Sequence, residues 1–239
     1  MAASRKIDDS SPSRATRLCR SAPAGSIIDL RNLLAERFPQ SFTPLAPRWP
    51  TGLPAIDKAI EGGLPKNAIT ELSSPRVSAG SALLLYALLQ NAQREGHFLA
   101  LVDGRDSFDP SALGGLGNGR LPNLLWVRCT KALDAVKAAD LLLRDGNFPL
   151  VVLDLVLNPS ADLRKIPQTS WYRLQRLVET APTAFLVLTR TSIISSAQLK
   201  LSLDNVWTLA DLEQDHLSAR LKILVQRVQA GRQPIAGAG

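Results

Sequence analysis

TELSSPRVSAGSALLL, residues 70–85, decides how this chain is read. An apolar strand runs into a loop of small residues, and the loop opens into a leucine-rich helix. A phosphate-binding P-loop, GxxxxGK[ST], belongs at such a junction. Its glycines let backbone N–H groups wrap the phosphates, its lysine reaches the terminal phosphates, and its hydroxyl holds Mg²⁺. With Gly80 as the second glycine, Ser81 replaces the lysine and Ala82 the magnesium-binding hydroxyl. With Ser81 as the magnesium ligand, Gly80 replaces the lysine, and Ser74 and Ala79 replace the glycines. The preceding lysine, Lys66, lies on the far side of the strand. Ser74, Ala79, Gly80 and Ser81 are therefore expected to outline a phosphate cradle without its chemistry, and no cofactor is expected.

Outward from this loop, strand-like apolar runs alternate with helical patterns. Strands are expected at residues 68–73, 98–102, 124–128, 150–155 and 184–188, with a Gly-rich loop at 114–119. A helix is expected from about residue 78 to 95, with Leu83, Leu84, Leu85, Tyr86, Leu88 and Leu89 inward. Two more fit residues 133–144 and 168–180, the latter with Trp171, Leu174, Leu177 and Val178 on one face. A short helix around Ile56 and Ile60 precedes the first of these strands. Residues 221–228 alternate as an edge strand, which would turn Arg220 and Lys222 outward and Leu221, Ile223 and Val225 to the core. The fold class that follows is α/β, a doubly wound, mostly parallel sheet with flanking helices.

The 239 residues are 45% apolar but only 5% aromatic, so the core is expected to be Leu, Val, Ile and Ala. No apolar run approaches the ~20 residues of a membrane span, and the N-terminus has no secretory h-region. Cys19 and Cys129 differ in setting and read as free thiols of a cytoplasmic protein. The net charge of +7 is unevenly spread. Residues 1–50 carry 8 Lys/Arg against 4 acids, residues 51–154 carry 10 against 11, and residues 155–239 carry 10 against 6. A neutral middle with basic flanks suits nucleic acid or an acidic partner, and equally a solvated surface.

Four regions follow. Residues 1–24 are a basic, Ser/Arg-rich leader expected to be disordered. Residues 25–50 hold an amphipathic helix and a Pro-rich linker: Ser26 is a plausible N-cap, and Ile27, Leu30, Leu33, Leu34 and Phe38 recur at helical spacing. This helix is either a cap on the core or a hook for another subunit. Residues 51–230 form the core domain, and residues 231–239 a disordered tail. Ile27, Leu30 and Leu34, with Arg220, Lys222 and Arg227, are the candidate partner-binding residues.

TGLPAIDKAIEGGLPKNAITEL, FLALVDGRDSFDP, NLLWVRC, FPLVVLDLV and FLVLTR occur in that order between residues 51 and 190. In order and spacing they resemble the ATPase core of RecA-type recombinases, and more closely the ImuA family of RecA-related proteins in mutagenic DNA repair. The resemblance implies a RecA-like core and a role in SOS-induced, error-prone (translesion) synthesis. It implies a RecA-type recombinase and an ImuB-like polymerase-family protein as partners. Where a recombinase carries its water-activating glutamate this chain has Arg105, flanked by Asp103 and Asp106. The Walker B aspartate is matched by Asp154. The two long DNA-binding loops of a recombinase have no counterpart of similar length after Leu155 or Arg190. Without general-base help, typically worth ~10²–10⁴ in rate, and without the lysine, a non-catalytic scaffold is expected. The alternatives are an ATP- and DNA-binding RecA paralogue and a SulA-like cell-division inhibitor.

The remaining candidates have plainer readings. Asp154 also reads as a structural strand-end carboxylate. Asp103, Asp106 and Asp109 lack the later glutamate of a calcium loop, and Asp109 before Pro110 suits a turn. His97 and His216 are too separated for a metal or catalytic cluster, so no metal site is expected. Arg164, Lys165, Arg173 and Arg176 form the best basic patch, or a solvated helix face. Tyr172 could stack on a base, while Trp171 fits the core.

Overall fold

The computed structural model describes residues 47–76, 78–113, 121–208, 211 and 220–228. The leader, the segment carrying Ile27, Leu30 and Leu34, Cys19, His216 and the tail lie outside the described residues.

Nine strands and five helices follow one another among the described residues. β1 (Arg48–Trp49) and β2 (Leu64–Pro65) pair as a small antiparallel ribbon around α1 (Pro54–Ala59). β3 (Ala68–Ser73), α2 (Ser81–Arg94), β4 (Leu99–Asp103), β5 (Leu124–Arg128), α3 (Ala132–Asp145) and β6 (Leu150–Asp154) come next. Then come α4 (Ser160–Arg164), α5 (Gln168–Thr180), β7 (Ala184–Thr189), β8 (Leu199–Ser202) and β9 (Leu224–Val228). The main sheet runs β5-β4-β6-β7-β3-β8-β9 and is parallel except for β9, which returns antiparallel to β8.

Side-chain alternation along the strands explains the two layers around this sheet. Leu72, Leu99, Leu101, Val152 and Leu186 face α2, where they meet Leu84, Leu85 and Leu88. Ile69, Ala100, Val102, Val151, Phe185 and Val187 face the other way, against Val136 and Leu143 of α3 and Trp171, Leu174 and Val178 of α5. Every residue of β3, β4 and β7 is buried, as a strand covered on both faces requires. The α/β, mostly parallel architecture expected from the sequence is the one observed.

Some boundaries differ from the expectation. Helix α2 begins at Ser81, because Ser78 and Gly80 both have positive φ and cannot continue a right-handed helix. β4 starts at Leu99, leaving Phe98 exposed. Packing on the core already includes Trp49, ahead of Thr51. The largest departure is β9. It begins at Leu224, and all five of its residues are exposed, Val225 among them. Arg220 and Lys222 precede the strand and share no strand face with Arg227.

The TG and GGLP motifs have structural work. Thr51 donates its backbone N–H and its hydroxyl to one Asp57 carboxylate oxygen, each at 2.8 Å, which closes the turn that starts α1. At Gly63, φ is 126°, and a β-carbon there would lie 2.2 Å from the Trp49 carbonyl oxygen. Only glycine lets β1 and this turn approach so closely.

Candidate functional site

Strands β3, β4, β6 and β7 all point their carboxyl ends the same way, the end at which open α/β sheets bind ligands. Four features meet this rim: the loop after β3, the turn after β4, Asp154 at the end of β6, and the connection after β7.

The loop after β3 is drawn in and closed. Ser74 donates its backbone N–H to Thr189 of β7 at 2.8 Å, and its hydroxyl to the Arg76 carbonyl at 3.3 Å. Ala79 and Gly80 are buried, and Gly80 caps α2 in a left-handed conformation with φ 110°. Leu221 lies directly against it: a β-carbon on Gly80 would be 2.2 Å from Leu221 Cδ1. Asn205 ties the two segments, donating from Nδ2 to the carbonyls of Ala79 and Lys222, each at 2.9 Å, and accepting the Lys222 N–H at 3.0 Å. Arg76 pairs with Asp204 at 2.6 Å. Lys66 lies over the Trp49 ring at 5.7 Å.

The turn after β4 is organised by Asp103, which is 1% exposed. Its carboxylate accepts backbone N–H groups of Arg105 (3.1 Å), Ser107 (2.7 Å) and Phe108 (2.7 Å), and the Ser107 hydroxyl. Arg105 reaches the Thr130 carbonyl at 3.4 Å. Asp106 makes a two-pronged pair with Arg128 at 2.5 and 2.8 Å, and that pairing holds the Asp106 carboxyl below its ordinary range. The Arg128 guanidinium also lies 4.8 Å from the Trp126 ring centroid. Asp109 accepts the Ser111 hydroxyl and backbone N–H, which start a turn of 3₁₀ helix and lower its pKa. Among the described residues no group of three or more His, Cys, Asp or Glu side chains is placed to hold a metal ion.

Asp154 faces Asp103 across paired strands. Its one hydrogen bond among these contacts is from the Val156 N–H at 2.9 Å. Burial raises its carboxyl to about 6; the Val156 N–H partly offsets this, and the neighbouring Asp103 charge adds to it. Cys129, partly buried behind this turn, is pushed up by burial and by Asp134 and Asp103.

After β7 the chain is short and pinned from beneath. Glu71, 1% exposed, accepts the N–H groups of Ile193 (2.6 Å) and Ile194 (3.0 Å) and the Ser192 hydroxyl (2.7 Å). Lys200 completes the arrangement at 3.1 Å.

Other candidates are dispersed. Lys165 pairs with Asp162 and Arg173 with Asp140, so half of the expected basic patch is already engaged with acids. Trp171 is in the core and Tyr172 is half exposed. His97 is exposed, with its ring 5.1 Å from that of Trp49. Arg220 pairs with Asp211, whose carboxyl is lowered to about 2 chiefly by Thr208, and Arg227 donates to the Ser195 carbonyl. Sequence reasoning missed Asn205 and Leu221 as partners of the loop. No local pattern marks them, because Asn205 and Ala79 are 126 positions apart.

The model of the RecA N-terminal domain family matches residues 45–185, more than half of the chain. Relatives named Protein RecA include that of Clavibacter michiganensis subsp. michiganensis, 36% identical over 158 residues, covering 63% of this chain and 43% of the relative. That of Frankia alni is 35% identical over 158 residues (63% and 45%), and that of Acidothermus cellulolyticus 38% over 117 residues (48% and 33%). The chain thus spans less than half the length of these curated relatives. The matched residues carry β3, the closed loop, the Asp103 turn and Asp154, and the chain belongs to the family of the RecA N-terminal domain.

Proposed function

We propose that this chain is a RecA-like protein without ATP turnover, acting by protein contact in SOS-induced, error-prone DNA repair, as the ImuA-family resemblance implies. Its partners would be a RecA-type recombinase and an ImuB-like polymerase-family protein. The observation that carries this reading is the loop between β3 and α2. It has no lysine, its glycine is buried against Leu221, and Arg105 stands where the resemblance puts the water-activating glutamate. RecA family membership supports the broader assignment to DNA repair and recombination.

The test is ATP hydrolysis by the purified full chain, with and without single-stranded DNA. The expected result is no turnover; hydrolysis that disappears in Asp154→Ala overturns the reading. Deleting residues 1–45 should leave the core folded and abolish association with the recombinase or polymerase-like protein, if the segment carrying Ile27, Leu30 and Leu34 is the hook.

A second reading, an ATP- and DNA-binding RecA paralogue, draws on Asp154 surviving at the end of β6. It predicts steeply salt-dependent DNA binding, losing ~0.9 log unit per log unit of salt for each duplex phosphate neutralised. Arg220, Lys222 and Arg227 would carry it. The engagement of Arg220 with Asp211 favours the protein partner.

A further inference from the structure

Leu221 is the one buried residue among residues 220–228, while β9 beyond it is exposed throughout. β9 is held by antiparallel pairing to the short strand β8, and that pairing is interrupted by a bulge between Lys200 and Leu201. Besides this pairing, Arg227 of β9 donates to the Ser195 carbonyl at 3.3 Å, but a bulged edge strand with no buried side chain gains little from apolar packing. The anchor lies upstream. Leu221 joins the cluster containing Ala79, Leu84 and Leu203, and it approaches the Gly80 backbone more closely than any β-carbon would allow. Asn205 stitches the Ala79 carbonyl to both backbone polar groups of Lys222.

We infer that the loop between β3 and α2 is a socket for the chain's own Leu221, and that this contact latches the C-terminal edge strand to the sheet. A loop of phosphate-cradle form offers its glycine backbone to a ligand. Here the Gly80 backbone receives a leucine side chain. Whatever displaces Leu221 releases residues 220–228 without opening β4 or β6, so the state of the loop decides whether β9 is displayed as an ordered edge. The latch goes beyond the proposed function and does not depend on it, because its readout involves neither nucleotide nor partner.

The test is backbone amide exchange, followed by mass spectrometry, on the full chain and on Gly80→Ala and Leu221→Ala. The first variant places a methyl group where Leu221 Cδ1 sits, and the second empties the socket. In both, amides of residues 220–228 should exchange at least about tenfold faster, while those of β4 and β6 keep their protection. Unchanged protection of residues 220–228 in Leu221→Ala overturns the inference. So does a loss of protection in Leu221→Ala that spreads equally to β4 and β6, since the contact would then belong to the global core. Leu221→Ala decides between these outcomes if the positive φ at Gly80 makes the first variant unfold.

Discussion

Asp103 and Asp154 end adjacent parallel strands in register with each other, but only Asp103 is saturated with donors. Asp154 has the Val156 N–H, and burial pushes its pKa from 3.8 to about 6. Between those values the folded state binds the proton more tightly than the unfolded chain. Stability from this residue therefore falls as pH rises from about 4 to 6 and stays lower above. Asp154→Asn removes the charge and keeps an acceptor for Val156. It should raise stability at pH 7.5 by about 1–2 kcal/mol, less than the full shift because the residue is partly exposed. At pH 4 it should change little. Urea unfolding at the two pH values checks both halves, and destabilisation at pH 7.5 would contradict the account.

Glu71 should be far less tolerant of change. Its removal leaves the Ile193 and Ile194 N–H groups without their acceptor and the largely buried Lys200, which keeps the Ser192 hydroxyl, without its counter-charge. Glu71→Ala should cost about 3–5 kcal/mol, measured as a lowered denaturation midpoint. Glu71→Gln, which keeps one carbonyl acceptor, should cost less.

Asp140 gives the contrasting case. It joins α3 to α5 by accepting from Arg144 at 2.9 Å and Arg173 at 2.8 Å, but both arginines are more than half exposed and can turn to water. Asp140→Ala should cost only about 1 kcal/mol in the same measurement, and the loss should shrink at high salt.

Gly63→Ala should be severe. The added β-carbon would fall 2.2 Å from the Trp49 carbonyl oxygen at a φ that side chains avoid, so the β1–β2 ribbon must open. A loss of about 3 kcal/mol or more is expected, with rising exposure of Trp49 visible in its fluorescence.

Much of this was legible in the sequence, for reasons that differ by element. Runs such as LVVLD and AFLVLT announce strands buried on both faces, and the strand–loop–helix of residues 70–85 announces the rim. The missing lysine is equally plain. What fills the vacated loop is not, because Leu221 meets Gly80 through tertiary packing and reads locally as one apolar residue in an alternating run. The same alternation suggested that Val225 faces the core. It does not, because the buried part of the segment ends before Leu224, and β9 runs out past the covered part of the sheet. Glu71 was legible as a strand residue but not as the anchor of a connection more than a hundred residues away.

The interior position of β3, between β7 and β8, has a consequence for how the chain is made. Both of its neighbours, β7 and β8, come from the far half of the sequence. At ~5–20 residues per second of synthesis, AITELS emerges roughly 6–23 s before the end of β7 can close on it. Until then its backbone, and the carboxylate of Glu71 within it, have no partner in the sheet. A fragment ending at residue 185, where the family match stops, would keep only the first two of the six residues of β7 and leave out β8 altogether. Such a fragment has the sequence of a domain but lacks β8 and most of β7, the two strands that flank β3. Folding of this sheet is therefore a late event, dependent on residues that follow the recognisable family segment.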